Sequence, residues 1–298
     1  MNFIYQYPER PGIDDDMLAP GPIPELAKAA EDAGFLGFGF TEHPAPSLKW
    51  IQSGGHQTLD PFVALGHAAA VTSRIKLLTY LTVVPYRNPM LLAKAAATVD
   101  ILSGGRMILG VGAGYLKSEF RALGVDFDER NTLFDEALDV LPMHWSGEPF
   151  SYQGRHFQCR DAIARPSPAA GTIPIWIGGN SALTKRRIAE RAQGWMPLFG
   201  PAELFQTTRT PALDGADLGT AIAELRAAAG DRGAALDVVV PFAARDLAAP
   251  DHDFAADRDA LAALEESGVT WVALSGSTFS RDETVAFMER FATACVNP

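Results

Sequence analysis

The sequence predicts a (β/α)₈ barrel, and three observations predict it. Eight apolar or β-branched segments with the character of strands lie near positions 2, 36, 75, 107, 174, 194, 236 and 270. Segments with helical periodicity separate nearly all of them, and such alternation at this chain length is typical of the barrel. No linker rich in Pro, Gly or Ser divides the chain, so we expect one domain over residues 1–298. An open doubly wound sheet is the alternative.

The repeating unit is clearest between residues 74 and 119. Ile75–Val84 is a run long and apolar enough for a strand that is buried on both faces. Pro89 then predicts the first turn of a helix, and Gly104 predicts its end. A second buried strand, Met107–Val111, leads directly into a glycine-rich turn. This order of strand, helix and strand predicts a βαβ unit with a candidate ligand site at its carboxyl end. Further along, residues 147–162 alternate apolar and polar side chains around a glycine, which predicts a small hairpin.

The composition argues against several kinds of partner. The chain has 25 basic and 36 acidic residues and a net charge of −11, which does not suit nucleic acid or an anionic membrane. No apolar stretch approaches the ~18 residues of a membrane span, and no signal peptide follows Met1. Cys159 and Cys295 lie far apart, and no histidine pair has the spacing of metal ligands. We therefore expect a cytoplasmic protein without a disulfide or a metal, which acts on a small-molecule substrate.

The residue pair Glu42-His43 follows the second predicted strand. The carboxyl ends of barrel strands share one face, and active sites are found on that face. His43 is a candidate acid/base because the imidazole pKa lies near neutrality. The structural alternative is a histidine that bonds Glu42 or a backbone carbonyl and holds its loop. The long polar loop Pro44–Thr58 comes next, and His56 within it is a weaker candidate for approaching a substrate.

Two glycine-rich turns follow the fourth and fifth strands, and each leads into a helix. Backbone N–H groups at such turns favour a phosphate or another anion. The alternative is that the glycines only allow the chain to make tight turns. The dinucleotide fingerprint fails because Tyr115 stands where its third glycine should fall. The turns therefore suggest an anionic cofactor without naming it. Ser118, Asn180 and Ser181 add side-chain donors. The candidate cofactor-binding residues are Gly112, Ala113, Gly114, Tyr115 and Ser118 in the first turn and Gly178, Gly179, Asn180 and Ser181 in the second.

Several of these segments together resemble a known family. The segments are VVPYRNPMLLAKAAATVDIL, SGGRMILGVGAGYLKSEF, IPIWIGGNS and GWMP. They resemble the luciferase-like flavin and deazaflavin superfamily, and most closely its coenzyme F420-dependent oxidoreductases. The resemblance covers nearly the whole chain. It implies a barrel with a small insertion region after strand four, which is usually a homodimer.

The resemblance also implies where a cofactor lies. The flavin or deazaflavin ring would lie at the carboxyl face of the barrel, against Thr79 and Tyr80, whose peptide bond would be a non-prolyl cis bond. The phosphate and tail would lie against Gly112–Ser118 and Gly178–Ser181. Glu42-His43 matches an acidic-His pair of the family's sugar-phosphate dehydrogenases, but Tyr115 replaces the acidic residue that follows their glycine turn. That departure puts sugar-phosphate oxidation in doubt.

The function implied is transfer of a hydride between F420 and a small organic substrate, with His43 and Glu42 as catalytic residues. Two alternatives remain. One is an FMN-dependent monooxygenase that uses reduced flavin and O₂. The other is a non-catalytic protein that binds flavin or F420.

Overall fold

Eight parallel strands close a barrel in the computed structural model of this chain. The structure describes residues 1–9, 16–200, 202–208, 210–242, 247–274 and 280–296. Each barrel strand pairs with the next in chain order, β3 pairs with β5, and β11 returns to β1. The predicted barrel is thereby confirmed, and the open doubly wound sheet was wrong. The barrel strands are β1 (Asn2–Gln6), β2 (Gly37–Phe40), β3 (Lys76–Thr79), β5 (Met107–Gly112), β8 (Ile175–Gly178), β9 (Gly194–Met196), β10 (Asp237–Pro241) and β11 (Trp271–Leu274).

Helices separate these strands and pack around the barrel. None of the helices within the described ranges is long and apolar enough to cross a membrane. Asn88 caps the helix that Pro89 begins, because its side chain accepts a hydrogen bond from the backbone N–H of Met90 at 2.9 Å. The helices are α1 (Ile23–Ala33), α2 (Leu48–Gln52), α3 (Pro61–Ala69), α4 (Pro89–Ser103), α5 (Lys117–Ala122), α6 (Arg130–Trp145), α7 (Ala182–Arg191), α8 (Ala202–Thr208), α9 (Leu218–Ala228), α10 (Ala255–Glu266) and α11 (Arg281–Phe291).

An insertion lies between β5 and β8, the fourth and fifth barrel strands, as expected. It contains α5, α6 and an antiparallel hairpin of β6 (Phe150–Gln153) and β7 (Gln158–Ala162). Glu136 on α6 accepts hydrogen bonds from three successive backbone N–H groups at the tip of this hairpin, at 2.8 to 3.2 Å. Those bonds fix the hairpin on α6. One more short strand, β4 (Thr82–Val83), pairs with β5 at the carboxyl end of the barrel.

The interior of the barrel holds its own apolar cluster. Glycines on some strands make room for large side chains on their neighbours, since a Cβ atom on Gly194 would lie 2.3 Å from Trp176. Tyr80 and Leu81 pack on this cluster after the end of β3. They form the floor of the carboxyl face. The cluster consists of Ile4, Leu78, Ile108, Trp176, Met196, Val239, Trp271 and Ala273.

Arg106 stabilises the opposite end of the barrel. Its buried guanidinium donates to the carbonyl oxygens of Ser103, Ile75, Thr72 and Ala69 and to the hydroxyl of Thr72, at 2.6 to 3.2 Å. These bonds tie the ends of α3 and α4 to the starts of β3 and β5.

Candidate active site

A buried pair of His43 and Glu119 lies at the carboxyl face. His43 follows β2, is 7% exposed, and places Nδ1 3.2 Å from Oε2 of Glu119 on α5. Glu119 is fully buried and also accepts from the backbone N–H of Ala45 at 3.2 Å and from the hydroxyl of Tyr86 at 3.0 Å. The carboxylate thus holds Nδ1 and orients the ring, so Nε2 is the nitrogen left for a bound molecule.

Aromatic rings from the Pro44–Thr58 loop surround His43. The loop is not without structure, since it contains α2, which Ser47 caps. The ring of Trp50 on α2 lies 4.5 Å from that of His43, and the ring of His56 lies 5.0 Å from it, nearly perpendicular. The ring of Tyr115 is 6.3 Å away. The loop therefore forms one wall around His43.

Two tyrosines beside the pair remain protonated at neutral pH. Burial, with the charges of Glu119 and Glu9 adding to it, raises the pKa of Tyr115 to about 12. Burial and the hydrogen bond to Glu119 also raise the pKa of Tyr86 above its ordinary range. Tyr86 therefore acts as a hydrogen-bond donor to Glu119 and supports its carboxylate.

The carboxylate of Glu42 contacts residues other than His43. Its carboxylate accepts from the hydroxyl of Thr82, from the backbone N–H of Val83 at 2.7 Å and from the guanidinium of Arg87. Arg87 also binds Asp60, the cap of α3, at 2.7 Å. Glu42 thus joins β2 to the segment after β3, and it does not accept the proton of His43 in this arrangement.

The cis peptide bond lies one residue further along than expected. The bond between Tyr80 and Leu81 is cis, whereas the resemblance implied the bond between Thr79 and Tyr80. Thr79 is fully buried and donates its hydroxyl to the carbonyl of Gly110 at 2.6 Å, which fixes β3 on β5. Tyr80 and Leu81 are the half-buried residues at this point of the floor.

The two glycine turns meet around the side chain of Leu81. A Cβ atom added to Gly112 would lie 2.5 Å from one methyl of Leu81, and one added to Gly178 would lie 2.4 Å from the other. Both turns are therefore on one rim, as the sequence predicted for barrel strand ends. Gly114 and Gly179 have the positive φ angles 77° and 113°, which favour glycine.

The polar residues of the second turn are used within the chain. Asn180 donates to the carbonyls of Leu198 and Pro211 at 2.8 and 3.0 Å and accepts from the N–H of Leu198. Ser181 caps α7 by accepting from the N–H of Thr184 at 3.1 Å. Because Ser181 accepts from the N–H of Thr184, the backbone N–H groups of Ala182 and Leu183 are the candidates in the first turn of α7 for binding an anion. In the first glycine turn, the one after β5, Ala113 and Ser118 are half-buried.

Sequence reasoning missed Glu119. It placed the expected carboxylate at the position of Tyr115, but the carboxylate beside His43 comes from the next turn of chain, inside α5. The signal available was Glu119 on a short predicted helix directly after a glycine turn. Among the described residues, no group of three or more His, Cys, Asp or Glu side chains is placed to hold a metal ion.

Fold and site together define the class of protein, a (β/α)₈ barrel with a histidine–carboxylate pair at its carboxyl face. The model of the luciferase-like monooxygenase family matches residues 1–285, and the chain belongs to that family. Membership places the chain among oxidoreductases.

Individual relatives agree with this family. An uncharacterised protein of Mycobacterium tuberculosis is 31% identical over 283 residues, which cover 89% of this chain and 91% of the relative. An F420-dependent glucose-6-phosphate dehydrogenase of Microbacterium testaceum is 28% identical over 204 residues, which cover 67% of this chain and 59% of that enzyme. The crystal structure of a monooxygenase from Streptomyces bottropensis superposes with a TM-score of 0.77 at 19% identity, over 100% of this chain and 99% of that one.

Proposed function

We propose that this protein is an F420-dependent oxidoreductase that moves a hydride between the deazaflavin ring and a small organic substrate. The observation that carries the proposal is the buried pair of His43 and Glu119 at the carboxyl face. Hydride transfer to or from a carbon–oxygen bond, or to an activated C=C bond, needs a proton donor or acceptor close to the substrate. The similarity to an F420-dependent dehydrogenase supports F420 as the cofactor.

The residues around Leu81 at the carboxyl face of the barrel fit a deazaflavin cofactor. Tyr80 and Leu81 pack on the apolar cluster inside the barrel and are half-buried, so a planar ring would lie against them. Leu81 lies between Gly112 and Gly178, so the ring would approach the backbone of both turns. The phosphate would bind at the first turn of α7, a helix of ten residues that begins after Ser181. When bound, the deazaflavin supplies the hydride chemistry.

His43 holds or moves the proton at Nε2 in this proposal. Glu119 fixes the ring tautomer by accepting from Nδ1, and it stabilises the positive charge that the ring carries when it is protonated. Trp50 covers the ring and excludes water from one side. Glu42, whose contacts are with Thr82, Val83 and Arg87, is a positioning residue that holds the loop of His43 rather than a catalytic one.

We further propose that the protein is a homodimer through α3 and α4, which pack against each other. Val63, Leu91 and Leu102 are 75%, 70% and 64% exposed on these two helices. The acidic residue of these helices, Asp100, is buried, so their outer face lacks the negative charge of the rest of the chain. Two copies with a net charge of −11 each repel, and a face without exposed acidic side chains on these helices reduces that repulsion.

The test is turnover of a substrate panel with F420, followed at the absorbance of the cofactor. The panel contains secondary alcohols, ketones and compounds with activated C=C bonds. The proposal predicts turnover by the wild-type protein and a steep loss in His43→Ala, with F420 affinity nearly unchanged. His156→Ala, a change at an exposed histidine of the insertion hairpin, is the matched control and is expected to keep wild-type turnover. Wild-type turnover in His43→Ala would remove His43 from the chemistry.

A second candidate function is an FMN-dependent monooxygenase. The description of the family itself and the similarity in fold to the Streptomyces monooxygenase favour it. Such an enzyme consumes O₂ with reduced flavin supplied by a reductase. Oxygen uptake with reduced FMN, together with an oxygenated product, would support this candidate over the first.

A further inference from the structure

We propose that His56 and Glu9 form a second histidine–carboxylate pair, through which His43 exchanges its proton with solvent. This inference rests on the proposed role of His43 as the group that moves a proton. It assigns a function to two residues outside the pair of His43 and Glu119, on the open side of the same site.

The geometry places His56 between His43 and Glu9. The ring centroids of His56 and His43 are 5.0 Å apart with an interplanar angle of 80°. On its other side, Nε2 of His56 lies 2.8 Å from Oε2 of Glu9, close enough for an ion pair but without hydrogen-bond geometry. Trp50 contacts both imidazole rings, at 4.5 Å from His43 and 5.3 Å from His56, and keeps them together.

Glu9 is fixed to the barrel wall. It follows β1, and its Oε1 accepts from Nε2 of Gln6 at 3.4 Å. Gln6 in turn donates to the hydroxyl of Thr41 at 3.0 Å, and Thr41 donates to the carbonyl of Tyr80 at 3.1 Å. The position of Glu9 is therefore linked to the floor of the site.

Exposure is higher for the outer pair of His56 and Glu9 than for the inner pair of His43 and Glu119. The side chains of Glu119 and His43 are 0% and 7% exposed, whereas those of Glu9 and His56 are 15% and 25% exposed. A proton that His43 takes from a substrate has to reach water before the next turnover. His56 is the ionisable group that leads outward from His43 in the described part of the site.

Trp50 and Tyr115, whose rings also lie beside His43, do not suit a relay. The indole of Trp50 has no proton to exchange near neutral pH. Tyr115 is held protonated, because burial and the charges of Glu119 and Glu9 raise its pKa to about 12. An imidazole, by contrast, both accepts and donates a proton near neutral pH.

The step is a transfer of one proton, and it is balanced without another reactant. For substrate oxidation, the imidazolium of His43 gives its proton to neutral His56, whose ring is in contact with it. His56 then releases it to solvent. Glu9, whose Oε2 lies 2.8 Å from Nε2 of His56, stabilises the His56 ring while it carries the proton. For substrate reduction, the same steps run in reverse.

The first test uses the protein without cofactor or substrate. In protein labelled with ¹⁵N-histidine, NMR measures how fast the ring N–H of His43 exchanges with water. His56→Gln keeps a polar side chain that cannot carry a proton, and it is expected to slow this exchange by about tenfold or more. An unchanged exchange rate would overturn the relay. Because no cofactor is present, this result stands whether or not the protein uses F420.

The second test distinguishes a relay from a structural role. His56→Ala is expected to lose exchange in the same way, and added imidazole is expected to restore it. Glu9→Gln should give a smaller loss, and His156→Gln, at an exposed histidine of the insertion hairpin, should give none. The indole N–H NMR signal of Trp50, whose ring contacts His56, reports whether the loop has kept its position. Slow exchange that imidazole does not restore would show a structural role only and would overturn the proposal.

Discussion

Glu119 Oε2 lies 3.2 Å from Nδ1 of His43, although the two residues are 76 positions apart in the chain. His43 follows β2, and Glu119 is on α5 after β5. In the closed barrel these strand ends both lie on the carboxyl face. The contact is therefore a product of barrel closure, and the orientation of the histidine ring depends on the carboxylate.

Replacing Glu119 by Gln tests this dependence. The amide keeps the shape of the side chain but cannot stabilise a charged imidazole, so turnover should fall by about a hundredfold. Affinity for the cofactor should change little, since Glu119 contacts His43, Ala45 and Tyr86 and not the glycine turns. Steady-state kinetics and a binding titration measure the two effects. Glu148→Gln, at an exposed position, is the control, and wild-type turnover in Glu119→Gln would contradict the assigned role.

Gly178→Ala tests whether Leu81 forms the floor of the cofactor site. The new methyl would lie 2.4 Å from Cδ2 of Leu81 and push that side chain toward the place of the ring. We expect cofactor affinity to fall by at least tenfold, which corresponds to about 1.4 kcal/mol. A shorter side chain in Gly178→Ala/Leu81→Ala should recover part of it. Gly66→Ala, with no atom within 4 Å of the added carbon, should bind as the wild type does. Normal affinity in Gly178→Ala would show that the ring does not rest there.

The sequence predicts the barrel well because its signals are local. A buried strand is predicted from a run of β-branched residues within a few positions. A helix is likewise predicted from Asn88 and Pro89 at its start and Gly104 at its end. The pair of His43 and Glu119 lacks such a signal, because a contact across 76 positions exists only after closure. The uses of Asn180 and Ser181 were also hidden, since a side chain that caps a helix and one that binds phosphate look alike in sequence.

The carboxylate of Glu31 should make the stability of the fold depend on pH. Burial opposes its charge, but the backbone N–H groups of Ser73, Arg74 and Ile75 outweigh this and lower its pKa from 4.5 to about 2. A depressed pKa stabilises the folded state above the unfolded pKa, and that stability is lost as the pH falls through the folded pKa. Glu31→Gln should therefore cost on the order of 2 kcal/mol of the free energy of unfolding at neutral pH.

The same difference should shrink between pH 4.5 and about 2, where the wild-type carboxyl becomes protonated. Urea unfolding at several pH values measures it, with Glu224→Gln as the exposed control. A difference that stays constant down to the lowest pH would refute this account of Glu31.

Leu91→Asp tests the proposed homodimer. Leu91 is 70% exposed on α4, and a charge there would be placed opposite an equally acidic copy. We expect light scattering to report a dimer for the wild type and a monomer for the variant. Ile163→Asp adds the same charge at another exposed apolar residue, beyond β7, and should leave the dimer intact. A wild-type monomer, or a dimer that survives Leu91→Asp, would reject this interface.

Fluorescence titration with F420 and with FMN tests the central claim most directly, namely that the rim around Leu81 binds a deazaflavin. The account predicts saturable binding of F420 that weakens in Gly178→Ala, with much weaker binding of FMN. Tight binding of FMN without binding of F420 would contradict it.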